Sequence, residues 1–108
     1  MTRVLTAVGI FLALSFTSAA RPQPISSERA HDLATTYMMQ YLSLCGIVED
    51  PISRPTDWEV PIRIGQAYQP AGAIRVDKRT GSVSYPHHPM ATPQSLAAWE
   101  KSLENRHK

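Results

Sequence analysis

The chain has one cysteine, Cys45, among 108 residues, so no disulfide can form within it. It has no glycine-rich phosphate loop, no internal repeat and no low-complexity stretch. No Cys, Asp or Glu lies close to the adjacent pair His87 and His88 in sequence to complete a zinc-like ligand set. No motif pairs a serine or cysteine with an activating histidine, so hydrolase chemistry has no local support. Charge of one sign is also missing. Apart from Arg3, ten Lys and Arg stand against nine Asp and Glu. The basic pI therefore rests on a narrow excess and argues against a nucleic-acid partner. These absences point away from an enzyme and away from any bound cofactor.

The first long apolar run marks a targeting segment. Arg3 precedes Val4–Phe16, which is apolar apart from Thr6, Gly9 and Ser15, and Ser18-Ala19-Ala20 offers small residues suited to signal-peptidase cleavage. The run is shorter than the roughly 20 residues a membrane span needs. Residues 1–20 are expected to be a signal peptide, and the protein to be exported, periplasmic or secreted, with no membrane span after cleavage. Residues 21–26 form an extended leader, because Pro22 and Pro24 prevent a helix from starting there. Residues 27–105 make a single domain with a modest core.

Within that domain the clearest period is helical. Ala30, Leu33, Ala34, Tyr37, Met38, Tyr41, Leu42 and Cys45 recur on one face, with polar residues opposite. With Ser26 or Ser27 as N-cap and Gly46 as an αL terminator, the pattern predicts a helix over about 27–45. Cys45 falls on the apolar stripe and is expected to be packed, although an intermolecular disulfide and a homodimer stay open. Residues 46–57 read as an irregular connector. Trp58, Val60, Ile62 and Ile64 alternate with Glu59, Pro61 and Arg63, a half-buried strand. Pro61 makes it an edge strand, open to a partner strand, or places a bulge there.

After a loop at 65–72, residues 73–85 predict a hairpin. Asp77 accepts backbone N–H groups in the turn and Gly81 supplies the positive φ. Val76 then faces Val83 and Ile74 faces Tyr85. Thr92 caps a second, short helix with Pro93 at its first position and Leu96, Trp99 and Leu103 as its stripe. The fold class is α+β: one long N-terminal helix packed on a three-stranded antiparallel sheet, plus a short C-terminal helix.

Trp58-Glu59-Val60 and Val76-Asp77-Lys78-Arg79-Thr80-Gly81-Ser82-Val83 resemble the strand and hairpin of PepSY-type domains, small exported modules. The stretch is also similar to cystatin-like or nuclear-transport-factor-like immunity proteins of bacterial toxin systems. The longer loop 65–72 and the Trp99 helix depart from a plain PepSY module. The resemblance implies a binding or inhibitory module outside the cytoplasm, with no catalytic residues. Its partner would be another exported protein, such as a toxin, peptidase or cell-wall hydrolase. Arg63, Tyr68 and Arg75 are the expected contacts, from the polar sheet face and the loop beside it. A competing expectation is a small metal- or ligand-binding periplasmic protein that uses His87 and His88.

Overall fold

A computed structural model describes residues 23–106; the expected signal peptide lies outside them. In chain order the elements are helix α1 (Ser27–Tyr37), a π-helical turn (Met38–Leu42), strands β1 (Gly46–Val48), β2 (Ile52–Ser53), β3 (Asp57–Ile64), β4 (Gln69–Asp77) and β5 (Val83–Ser84), and helix α2 (Pro93–Arg106). The class is α+β. The sheet is antiparallel throughout and has five strands rather than three, and the C-terminal helix, expected to be the short one, has 14 residues against 11 in α1.

Two layers close on one core. Ala30, Leu33, Ala34, Tyr37 and Met38 from the helix join Val60, Ile62, Ile74, Val76 and Val83 from the sheet in one buried cluster. Tyr37 and Val76 are both fully enclosed. The Tyr37 hydroxyl keeps a partner by donating to the Pro89 carbonyl at 2.6 Å. Burial, and secondarily the neighbouring Tyr41, holds that phenol above its ordinary pKa.

The first helix starts as expected, with the Ser26 hydroxyl accepting from the Arg29 N–H at 3.1 Å, but it ends early. At its C-terminal end the bonding widens by one residue, the Ser43 N–H reaching the Met38 carbonyl at 2.8 Å. Ser43 itself is extended, with φ −168° and ψ 143°. Gly46 does not terminate the helix. It lies in β1, where a Cβ would sit 2.6 Å from the Arg63 carbonyl oxygen, so its role is close strand approach. Cys45 therefore leaves the apolar stripe and is exposed, which corrects the expected packed thiol.

The connector also differs from expectation. Gly46–Val48 and Ile52–Ser53 pair with the same side of β3, while β4 pairs with the other. The strand carrying Pro61 is therefore central, and the expectation that 58–64 could accept a partner strand does not hold. Proline is tolerated because the outer partner is interrupted between β1 and β2 at that level. Only the Pro61 carbonyl is used on that side, by the Glu49 N–H at 2.9 Å. A register shift does occur between Pro61 and Arg63. The pairs Pro61–Ala73 and Arg63–Pro70 put the extra residue on β4, beside Gly72 with φ +86°.

The hairpin follows its predicted register at Val76–Val83. The Asp77 carboxylate accepts the Arg79 and Thr80 N–H groups at 2.8 and 2.9 Å, and Gly81 takes φ +77°. The leader straps this corner down. The Ile25 N–H donates to the Lys78 carbonyl at 2.7 Å, and the Trp58 indole N–H donates to the Ile25 carbonyl at 2.9 Å. Lys78 Nζ lies 4.9 Å from the centre of the Trp58 ring. Beyond β5, Val83 and Ala91 exchange both main-chain bonds, at 2.8 and 2.9 Å. Thr92 and Ser95 then cap α2 reciprocally, each side chain accepting the other's N–H at 3.0 Å.

Gly81→Ala should destabilise the domain by about 2 kcal/mol or more. It forces positive φ on a residue with a Cβ, and that Cβ would lie 2.8 Å from Pro93 Cγ; urea unfolding measures the loss. The Thr80 N–H first, then that of Arg79, holds the Asp77 carboxyl below its ordinary pKa. Its contribution is present above the ordinary carboxylate value and lost as pH falls through the depressed one. Asp77→Asn keeps an acceptor oxygen but not the charge. Its stability difference from the unaltered chain should therefore shrink to nothing in acid titration followed by circular dichroism.

Candidate functional site

The sheet face opposite α1 is uncovered. Directly opposed residues of an antiparallel pair project to the same face, so the register defines its rows. One row runs Ile52, Glu59, Arg75, Ser84, and a second runs Ile47, Arg63, Pro70. Pro61 and Ala73 lie between them.

Charge on this face is organised as a ladder. Glu59 takes Arg54 on one carboxylate oxygen at 3.3 Å and Arg75 on the other at 3.5 Å, and Arg75 also reaches Asp57 at 3.4 Å. At the far end Arg63 Nε meets Glu49 Oε1 at 2.9 Å. Three arginines thus balance three carboxylates, and none of these ion pairs is enclosed. Exposed pairs of this kind contribute at most about 1 kcal/mol each. They act mainly by holding long side chains in set positions.

The structure brings Arg63 and Tyr68 together. An Arg63 Nη1 hydrogen donates to the Tyr68 carbonyl at 3.3 Å, and Tyr68 has φ +50° in the turn that opens with Gly65. The Tyr68 ring is half exposed. Arg75 belongs to the same face but not to the same cluster. It opposes Glu59, four residues along β3 from Arg63, a separation on the order of 13 Å. Asp77 ends β4 opposite Asp57 but commits its carboxylate to the N–H groups of the hairpin turn, and Gly81 lies in that turn, so both have a structural role.

Ile47 and Ile52 are the residues that sequence reasoning missed. Both are exposed, 45% and 39%, and each projects beside an ion pair of the ladder. Their strands are three and two residues long, too short for any periodic signal. The available hint was β-branched residues next to Pro51.

The histidine loop has a different character. His88 Nδ1 lies 2.9 Å from the Pro86 carbonyl and its ring meets Tyr85 edge-on at 5.3 Å. His87 is exposed with φ +65°. Among the described residues no three His, Cys, Asp or Glu side chains come together as a metal site would require. His31 on α1 serves the sheet edge instead, its Nε2 donating to the Val48 carbonyl at 3.2 Å. That contact takes up one acceptor of the short outer strand and blunts it for pairing with another chain. No helix among the described residues is long and apolar enough to cross a membrane.

Arg63→Gln and Arg75→Gln should each change folding stability by less than about 1 kcal/mol, read as the urea midpoint at constant m-value; a larger loss would make these arginines structural. Comparison of the chain with family models, with curated proteins and with solved structures returns no match.

Proposed function

We propose that the chain is an exported, non-enzymatic binding protein of the inhibitor or immunity type. It works by occluding a partner such as a peptidase or a cell-wall hydrolase. The signal-peptide pattern at residues 1–20 and the likeness of Trp58–Val60 and Val76–Val83 to PepSY-type modules favour this reading.

The uncovered sheet face carries it. Ile47, Ile52 and Tyr68 leave apolar surface in water among arginines whose positions are set by ion pairs. Interfaces are enriched in aromatic residues and arginine, here Tyr68 beside Arg63, and the two isoleucines add apolar area. Because the ladder is electrically balanced, a partner approaching it gains more from shape and apolar contact than from net charge. The ladder also limits the side-chain entropy lost on binding, since the arginines are already oriented.

The test starts from the native exported fraction and an immobilised mature chain, residues 21–108, beside Ile47→Asp and Arg75→Glu variants of it. A partner retained by the unaltered chain should be lost from both variants while their circular dichroism stays the same. A stoichiometric amount of the chain should then inhibit the partner's peptidase or hydrolase activity. Retention by both variants, or an active partner in the saturated complex, would reject the proposal.

A further inference from the structure

The helical layer has a surface of its own. α2 runs along the side of α1 that the sequence pattern marks as wet, and the two helices meet where the Thr36 hydroxyl donates to Glu100 Oε1 at 2.6 Å. Beside that contact lies a groove of about 320 Å³ lined by Thr36, Met39, Trp99, Glu100, Leu103 and Glu104. The thioether, the indole and the leucine side chain form its apolar part, and all three residues are only half-buried. Two carboxylates stand at its rim, and no lysine or arginine is among the lining residues.

We infer that this groove docks a segment of another protein that presents an apolar side chain flanked by lysine or arginine. The apolar lining selects the anchor. Trp99 offers a flat aromatic surface and Met39 an adaptable one. Glu100 and Glu104 select the flanks, because a basic segment is attracted and an acidic one repelled. The same carboxylates disfavour an anionic lipid surface. A second copy of the chain fits poorly. Its exposed Leu44 and Met90 have no Lys or Arg within two positions in the sequence, and the arginines beside Ile47, Tyr68 and Ile52 (Arg63 and Arg54) are already paired with Glu49 and Glu59. The groove belongs to the helical layer and the ion-pair ladder to the opposite face of the sheet, so either surface can fail without the other.

Methionine-methyl NMR on the folded chain tests the groove directly. The probe is a short alanine-based helical peptide carrying a leucine pair one turn apart, flanked by lysines. Two controls replace the lysines with glutamates or the leucines with serines. The lysine–leucine peptide should shift the Met39 methyl saturably, leave Met90 unmoved, and bind on the order of tenfold more weakly to the Glu100→Gln/Glu104→Gln variant. The side-chain amide introduced by Glu100→Gln keeps an oxygen for the Thr36 hydroxyl, so the fold is not at stake, and Arg75→Gln should leave peptide binding unchanged. No saturable shift, equal binding of either control peptide, or a Met39 shift that follows protein concentration without peptide would each overturn the inference.

Discussion

The contact between α1 and the inner face of β3, β4 and β5 supports everything else in this domain. A chain of this size without an internal disulfide has little beyond its core to hold it. Tyr37, Val60, Ile62, Ile74, Val76 and Val83 are all buried to within 2% of full enclosure. Removing such side chains from water is worth about 1.5–3 kcal/mol apiece, an upper figure because the unfolded chain already hides part of them. That sum has to offset the ordering of the whole backbone. The polar closures around it therefore matter. The Tyr37 hydroxyl on Pro89 and the Trp58 indole on Ile25 spare the core the cost of unpaired donors.

Packing the α1 stripe against one side of the sheet leaves the other side in water. The arginines and carboxylates there are organised by cross-strand register, and the register follows from which residues must face the core. A slip of one residue in β3 would send Glu59 inward and Val60 outward, so the surface ladder is tied to the core. This coupling is why a small domain can keep a specific face without spending stability on it: the ion pairs are weak, but the strands that align them are not free to move.

The helical layer follows the same logic with a different outcome. α2 is recruited by Leu96, which is buried, and by the Val83–Ala91 bridge that delivers the chain to its start. Its remaining stripe residues, Trp99 and Leu103, reach past the core toward Met39, so they stay partly wet. Thr36, polar by pattern, is buried with its hydroxyl satisfied by Glu100 and by the Asp32 carbonyl of its own helix.

What the chain announces locally is what local chemistry can settle. The Asp77–Gly81 turn, the Ser26 and Thr92 caps, the stripe Ala30–Met38 and the alternation Trp58–Ile64 depend on interactions within a few residues, and each is visible in the sequence. So were Arg63, Tyr68 and Arg75 as exposed members of the candidate surface, although their spacing was not. Tertiary structure decided where pairing and packing over long separations outweigh local preference. Gly46 could end a helix or let two strands approach, and only the Arg63 carbonyl beside it selects the second. Ile47 and Ile52 have no periodic context and become strand residues solely because β3 offers an edge. Cys45 left its stripe once the widened turn at Met38–Leu42 ended the helix, and Pro61 could sit in a central strand because the outer partner breaks opposite it. None of these outcomes is encoded within a window short enough to read, since each depends on a hydrogen-bond partner or neighbour brought in from elsewhere in the chain.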